Sequence, residues 1–241
     1  MNVKFPDLPD KVAAITGGGG VLCSTIAAGL AGQGVQLAVL DIRHEGAQVV
    51  ADRICSAGGR AIAIQCDVLD KEMVEAASRT VLDAYGKVDI LINGAGGNRA
   101  QATTDAQHSF FDMPVDALRW VFDLNFLGTI IPSQVFGRLM AEAGKGCILN
   151  VSSMAAFRPI TRTLAYSAAK AAVSNFTQWL AVYLSQTYPG SIRATPWRQL
   201  RFGWCRKPPA LSTARSFPST GVSWLVPGCE GHSRPGKTER C

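Results

Sequence analysis

The chain has 241 residues, which is long enough for one large globular domain or two small ones. Of these residues 47% are hydrophobic and 17% are charged, a composition typical of globular proteins. No apolar run approaches the roughly 20 residues that span a bilayer, and the N-terminal segment MNVKFPDLPDK lacks the apolar core of a secretory signal. The net charge of +6 comes from residues 191–241, which carry +7, so residues 1–190 give no electrostatic reason to expect nucleic acid as a partner.

Seven cysteines occur without a CxxC pair, and the three histidines do not cluster. An odd set of cysteines without paired spacing favours a reducing compartment and argues against structural zinc. We therefore expect a cytoplasmic protein without a metal site and without a membrane partner.

Short apolar segments alternate with helix-like segments along the first half of the chain. Apolar runs predict four strands, at 11–16, 35–41, 60–67 and 87–97, and the fourth continues into a glycine-rich loop. The segments between the strands predict helices over 21–34, 45–59 and 71–86. In the third of these helices one apolar stripe contains Met73, Val74, Val81 and Leu82.

The second half continues this pattern after a polar loop. We predict a long helix from about Val115 to Ala143, a fifth strand over 146–153, a long helix over 165–188 and the start of a sixth strand at 191–193. Strands that are apolar on both faces need helices on both sides of their sheet. The alternation therefore predicts an α/β fold, a Rossmann-type doubly wound parallel sheet, in one domain over residues 1–194.

The segment TGGGGVLC lies where the first strand turns into the first helix. At such a turn, backbone N–H groups can face a pyrophosphate, and glycines let the backbone approach it closely. A flexible turn without a ligand is the alternative interpretation. The predicted cofactor contacts in this segment are Gly17, Gly19, Gly20, Val21 and Leu22.

Asp41 ends the second strand, 24 residues after Gly17. Its carboxylate could accept hydrogen bonds from an adenosine ribose, with Ile42 beside it, or it could be a solvated acid at a strand end. The same carboxylate would repel a 2′-phosphate, so NAD is favoured over NADP, although Arg43 follows closely. Further contacts are predicted where the third and fourth strands end, at Asp67, Val68, Asn93, Gly94, Ala95 and Gly96.

The segment YSAAK places Tyr166 and Lys170 four residues apart on one face of a helix. A phenol is a poor acid–base catalyst at neutral pH unless a nearby cation stabilises its phenolate, and Lys170 supplies such a cation. Ser153, 13 residues before Tyr166 at the end of the fifth strand, could hydrogen-bond the same substrate oxygen.

The chain resembles the short-chain dehydrogenase/reductase family in the order and spacing of seven motifs, TGGGG, LD, CDV, NGAG, LN, NVSS and YSAAK. The resemblance covers roughly residues 8–194. It implies an NAD(P)-dependent oxidoreductase in which hydride passes between a nicotinamide cofactor and a hydroxy or keto group of a small-molecule substrate. The family also implies a homodimer or homotetramer.

The resemblance implies a role for each of four residues. Tyr166 would donate or accept the proton, and Lys170 would stabilise its phenolate and hold the nicotinamide ribose. Both Tyr166 and Lys170 are therefore also predicted cofactor contacts. Ser153 would polarise the substrate oxygen, whereas Ser152 has the poorer spacing to Tyr166. Asn125, 45 residues before Lys170, would hold a water of the proton relay.

The chain departs from the family pattern at two positions, and three segments indicate a particular branch of the family. Val21 and Cys23 stand where the family usually has glycine. The segments GGGGVLC, GGNRAQATT and SSMAAFRP resemble the branch of fructuronate/mannonate and gluconate oxidoreductases, which implies a sugar acid or similar polyol as substrate. Its carboxylate could pair with Arg99, Arg158 and Arg162, or these could be solvated loop residues.

The resemblance ends after Arg193. Residues 195–241 show neither strand alternation nor a helical stripe, so we predict an irregular basic tail, with the C-terminal strand and the substrate lid missing or non-native. The favoured hypothesis is a frameshift; a divergent substrate domain and a basic tail that binds nucleic acid or a membrane are alternatives. A catalytically impaired nucleotide-binding protein is the alternative function.

Overall fold

Strands and helices alternate along the chain in the order that the sequence pattern predicts. The computed structural model describes residues 5–158, 162–190 and 192–196. The strands are β1 (Val12–Thr16), β2 (Gln36–Asp41), β3 (Ala61–Gln65), β4 (Ile90–Asn93), β5 (Gly146–Asn150) and β6 (Ile192–Pro196). The helices are α1 (Val21–Ala31), α2 (His44–Ser56), α3 (Lys71–Tyr85), α4 (Val115–Glu142) and α5 (Leu164–Thr187). Short 3₁₀ helices occur in the loops, at Ala100–Ala102, Phe110–Asp112 and Met154–Ala156.

The described strands form one parallel sheet with the spatial order β3-β2-β1-β4-β5-β6. In β1, Ala13 pairs with Leu37 on one side and with Ile90 on the other. The strand order therefore reverses between β1 and β4. In open sheets of this kind, ligands bind in the crevice at the carboxyl ends of the strands, at the point of reversal.

Helices cover both faces of the sheet, because successive residues of a strand point to opposite faces. Val12 and Ala14 pack with buried side chains of α3, α4 and α5, whereas Ala13 and Ile15 pack with α1 and α2. The fold is thus the predicted Rossmann-type doubly wound sheet. Within the described ranges, no helix combines the length and the apolar character needed to cross a membrane.

Local sequence signals set the ends of α3. The Asp70 side chain accepts hydrogen bonds from two backbone N–H groups of the first turn, at 2.9 and 3.1 Å, and so satisfies donors that the helix leaves unpaired. Gly86 ends the helix in a left-handed conformation with φ of +71°. Val74 and Val81 of the predicted stripe are buried, so this face of α3 lies against the sheet.

β6 is longer than the sequence pattern predicts. It continues from Ile192 to Pro196 and pairs with β5, with Ala194 opposite Ile148. The backbone pairing extends the strand where the side chains show no further alternation. The predicted irregular tail covers residues 195–241, of which residues 195 and 196 lie in β6, whereas residues 197–241 lie outside the described residues, together with the predicted frameshift and missing lid. The domain boundary after residue 194 stays a prediction.

Candidate active site

The glycine-rich turn between β1 and α1 packs closely against the segments that follow β2 and β4. Gly17 has φ of +64°, and a Cβ there would lie 2.8 Å from the Cα of Ala95. A Cβ on Gly19 would lie 2.9 Å from the carbonyl carbon of Gly46 and 3.0 Å from the Asp41 carboxylate. Both positions therefore require glycine, as the sequence pattern indicates.

The two departures from the family pattern are accommodated in different ways. Val21 is 89% exposed, so its side chain needs no space inside the turn. Cys23 is 3% exposed, and its Sγ fills the space that a Cβ on Gly94 would need. Burial raises the pKa of the Cys23 thiol to about 11, so the side chain packs as a neutral group at neutral pH. Because Gly94 has no side chain, the larger Cys23 fits at a position where the family usually has glycine.

The Asp41 carboxylate is oriented by backbone donors. Its Oδ2 accepts a hydrogen bond from the N–H of Gly19 at 3.0 Å, and its Oδ1 accepts one from the N–H of Arg43 at 3.0 Å. Each oxygen retains a second lone pair that can accept a further hydrogen bond. Ile42 and Leu22 expose large apolar side chains at the same two segments. A fixed carboxylate beside exposed apolar surface suits a bound nucleoside.

Thr16, which the sequence argument missed, connects the ends of β1 and β4. Its hydroxyl accepts hydrogen bonds from the N–H groups of Gly94 and Ala95, at 3.1 and 3.2 Å. The turn after β4 is therefore held against the glycine-rich turn. The available signal was its position directly before Gly17, at the end of a buried strand.

The predicted contacts after β3 and β4 differ in where their side chains lie. Asn93 is buried, and its Nδ2 donates to the Asn150 Oδ1 at 2.8 Å and to the Ser133 hydroxyl at 2.9 Å. Its side chain joins β4, β5 and α4 and does not line the crevice. Val68 is also buried and packs against Gly128, where a Cβ would lie 2.9 Å from the Val68 Cγ2. Asp67 accepts a hydrogen bond from the N–H two residues later, at 2.9 Å.

Lys170 reaches from α5 to the end of β5. Its Nζ donates to the Val151 carbonyl at 2.9 Å and lies 5.7 Å from the centre of the Tyr166 ring. The side chain is 3% exposed, and burial lowers the pKa of Lys170 to about 8. The ammonium form still predominates at neutral pH, so the fold places a cation beside the Tyr166 phenol.

Asn125 holds the loop that passes over Lys170. Its Nδ2 donates to the Gly97 carbonyl at 2.7 Å and to the Val121 carbonyl at 2.8 Å, and its Oδ1 accepts from the N–H of Gly97 at 3.3 Å. A Cβ on Gly96 would lie 2.5 Å from the Asn125 Oδ1 and 3.4 Å from the Lys170 Nζ. The amide is thus occupied by the protein backbone. The implied role of binding a water stays a prediction.

The two neighbouring serines after β5 lie in different environments. The Ser152 hydroxyl lies 2.6 Å from the Ser174 hydroxyl and donates to the Lys170 carbonyl at 3.3 Å, so it is bonded to α5. The Ser153 hydroxyl begins the following 3₁₀ helix, where it accepts from the N–H of Ala155 at 3.2 Å. In the described part of the chain the Ser153 hydroxyl acts only as an acceptor, so its proton is available to donate, and its role toward a substrate stays a prediction.

The three arginines considered from the sequence are held differently. The Arg99 guanidinium lies over the Trp120 ring, 3.4 Å from its centre. Arg162 has φ of +85°, and its Nε donates to the Thr104 carbonyl at 2.9 Å. Arg158 is exposed.

A doubly wound sheet that brings a tyrosine, a buried lysine and a serine to one end defines a class of α/β oxidoreductases. The family model described as short chain dehydrogenase matches residues 11–198. The chain belongs to this short-chain dehydrogenase family, as the sequence motifs imply.

Several relatives are similar over most of the described part of the chain. The "uncharacterized oxidoreductase UxuB" of Bacillus subtilis is 46% identical over 189 residues, which cover 75% of this chain and 68% of that protein. The 7alpha-hydroxysteroid dehydrogenase of Escherichia coli (strain K12) is 34% identical over 179 residues, with 74% and 67% covered.

Among solved structures, a protein proposed to be a D-mannonate oxidoreductase, from Haemophilus influenza and with bound NAD, is 44% identical. It superposes with a TM-score of 0.74 over 78% of this chain and 70% of that one. A xylitol dehydrogenase with bound NAD⁺ is 29% identical, with a TM-score of 0.72 over 79% and 70%. The chain is therefore an oxidoreductase by family and by fold.

Proposed function

We propose that this chain is an NAD-dependent dehydrogenase that acts on a hydroxy or keto group of a sugar acid or similar polyol. The observation that carries the proposal is the buried Lys170 ammonium, which lies 5.7 Å from the Tyr166 ring beside the loop held by Asn125. A buried cation next to a phenol is the arrangement that acid–base catalysis by tyrosine requires.

The residues present fit a dinucleotide. The turn at Gly17 and Gly19 has no room for side chains, and the neighbouring Asp41 carboxylate has lone pairs left for ribose hydroxyls. Gly20, Val21 and Leu22 would complete the phosphate-binding turn, and Ile42, Asp67 and Val68 would flank the adenosine. We assign the backbone of Asn93, together with Gly94, Ala95 and Gly96, to the surface beneath the ribose. When bound, the nicotinamide supplies the hydride donor or acceptor.

The carboxylate of Asp41 favours NAD over NADP. It is buried and accepts hydrogen bonds from two backbone N–H groups, so its position beside the glycine-rich turn is fixed. A 2′-phosphate at this position would face a fixed negative charge.

Each polar side chain of the site has a separate role in the proton transfer. In the direction of alcohol oxidation, Tyr166 accepts the hydroxyl proton of the substrate through its phenolate oxygen. Lys170 stabilises that phenolate electrostatically, and Ser153 donates a hydrogen bond to the substrate oxygen. Asn125 positions the loop that borders this space.

The outer face of α4 and α5 supports the proposal of a homo-oligomer. A groove of about 650 Å³ lies there, and its lining includes Phe176, Trp179 and Tyr183, whose rings stack in sequence along α5. Trp179 and Tyr183 are exposed. An aromatic row of this kind is typical of a surface that a second subunit covers.

The proposed function is tested with two matched pairs of variants. Tyr166→Phe removes the hydroxyl that transfers the proton, and we expect turnover of sugar acids to fall by roughly 10²-fold or more, with unchanged NADH affinity. Tyr183→Phe makes the same change on the outer face of the same helix and should leave turnover unchanged. Ser153→Ala should reduce turnover, whereas Ser152→Ala should not.

Turnover that survives Tyr166→Phe would overturn the proposed mechanism. NADH binding by fluorescence titration, together with no turnover of any sugar acid or polyol, would instead support the catalytically impaired nucleotide-binding protein.

A further inference from the structure

Arg99 differs from the other two loop arginines in the way its guanidinium is held. It lies over the Trp120 ring with its central carbon 3.4 Å from the ring centre, a cation–π contact. This contact covers one face of the planar group and leaves the N–H groups at its edge available to donate. Among the described residues, no carboxylate lies within 4.0 Å of it. Arg99 is thus an oriented cation without a neutralising partner there.

The position of Arg99 connects it to the proton-transfer residues in two ways. Gly97, two residues earlier, is the residue whose N–H and carbonyl are held by Asn125. Trp120 packs against the same small apolar cluster as Tyr166, with Ala102, Ala117, Val121 and Ala165 at its centre. The loop that carries Arg99 therefore contacts Asn125, and the Trp120 ring shares an apolar cluster with Tyr166.

Hydrogen bonds within and across the loop keep its backbone in place. The Asn98 Nδ2 donates to the Thr103 hydroxyl at 2.8 Å, and that hydroxyl donates to the Arg99 carbonyl at 2.9 Å. Thr104 and Arg162 are joined by two hydrogen bonds, at 3.0 and 2.9 Å. One of these bonds is donated by the Arg162 Nε, so the Arg162 side chain already binds the loop backbone. In the described part of the chain, the Arg99 side chain contacts only the Trp120 ring.

We propose that Arg99, oriented by Trp120, binds the carboxylate of the substrate and selects an acid over an uncharged polyol. A guanidinium edge donates two parallel hydrogen bonds to a carboxylate, and this fixes the orientation of the substrate chain as well as binding it. The inference rests on the proposed function and assigns the residue that recognises the acid group. Trp120 is a positioning residue in this arrangement.

The test compares D-mannonate with D-mannitol, its uncharged analogue, as substrates of the full chain. Arg99→Gln should lower kcat/KM for D-mannonate by roughly 10- to 100-fold, mainly through KM, and leave kcat/KM for D-mannitol unchanged. Arg99→Lys should have a kcat/KM for D-mannonate between those of wild type and Arg99→Gln, because lysine keeps the charge but lacks the planar, two-pronged guanidinium. Arg119→Gln is the matched control: it removes the same charge from an exposed arginine on α4 that is paired with Asp116 at 3.1 Å.

Calorimetric titration of D-mannonate into NADH-saturated protein, which cannot oxidise it, separates this inference from the proposed function. Loss of binding in Arg99→Gln, with binding retained in wild type, supports the inference even where neither substrate is turned over. Equal changes for D-mannonate and D-mannitol, equal binding by wild type and Arg99→Gln, or no binding of D-mannonate by wild type would each overturn it. Turnover of both substrates by wild type with no effect of Arg99→Gln would overturn the inference and leave the proposed function intact.

Discussion

Replacing Lys170 by methionine tests the effect of the buried ammonium on stability. The side chain is almost fully buried, and burial lowers the pKa of Lys170 from its ordinary value of 10.5 to about 8. A difference of about 2.5 in pKa corresponds to roughly 3 kcal/mol of unfavourable free energy for the charged form in the folded protein. Methionine is similar in length and carries no charge, so the substitution removes the unfavourable free energy of the buried charge.

Two opposing effects determine the expected result. Loss of the 2.9 Å hydrogen bond from the Lys170 Nζ to the Val151 carbonyl should destabilise the variant by about 1 to 2 kcal/mol. The free energy of unfolding of Lys170→Met at pH 7 should therefore exceed that of wild type by about 1 to 2 kcal/mol. Turnover should be lost in the same variant, because no cation remains beside Tyr166.

The stability difference should depend on pH in a defined direction. Between pH 8 and about 10.5 the unfolded chain still holds the Lys170 proton while the folded protein has released it. The free energy of unfolding of wild type therefore gains a rising contribution over this range, and that of Lys170→Met does not. The advantage of the variant should shrink between pH 7 and pH 9.5.

Urea denaturation at these two pH values measures the effect. Lys145→Met, at an exposed position, is the control and should stay within about 0.5 kcal/mol of wild type without a pH-dependent difference. A Lys170→Met variant that is less stable than wild type by the same amount at both pH values would refute the reasoning, since burial would then not disfavour the ammonium.

Three further substitutions test the carboxylates and the glycine turn. Burial alone would raise the pKa of Asp89, but the Val12 N–H and two lysines hold it below its usual value, so its stabilisation is lost only as the pH falls below about 4. Asp89→Asn should lower the free energy of unfolding by about 1 to 2 kcal/mol at pH 7 and weaken this acid dependence, and equal acid slopes in urea denaturation would contradict it. Asp41→Ser should shift the ratio of kcat/KM for NADP over NAD by roughly 10- to 100-fold toward NADP, and an unchanged ratio would argue against the assigned role. Gly17→Ala should weaken NADH binding by about tenfold or more, whereas Gly58→Ala, with φ of +84° and open space for a Cβ, should retain wild-type affinity.

The sequence predicts the fold and the catalytic pair because both depend on short-range patterns. Alternating apolar runs identify the strands, and a spacing of four residues places Tyr166 and Lys170 on one helical face. What holds the pair in place depends on residues far apart in the chain. Asn125 contacts Gly97 across 28 residues, and Thr16 contacts the turn after β4 across 78 and 79. No local pattern predicts such contacts.

The loop after β4 could not be predicted from its residue pattern. It lacks a period of either 2 or 3.6, and its order comes from side-chain contacts to distant elements, such as Arg99 over Trp120 and Arg162 to Thr104. The sequence could therefore propose three arginines for the carboxylate and had no means of ranking them. The structure separates two of them by their contacts, because the Arg99 guanidinium lies over Trp120 whereas the Arg162 Nε donates to Thr104.

The alternation of side chains at the end of β5 explains why adjacent serines take different positions. The Asn150 Nδ2 donates to the Thr177 hydroxyl of α5 at 2.9 Å, so this position faces the helix. Two residues later Ser152 faces the same side and contacts Ser174, as the period of an extended chain requires. Ser153 is one position further and cannot share that direction, which leaves its hydroxyl for the crevice. The same parity accounts for Asn93, which pairs with Asn150 across the sheet. At the end of β5, Ser153 is therefore a better site candidate than Ser152, because it is out of step with the buried Asn150.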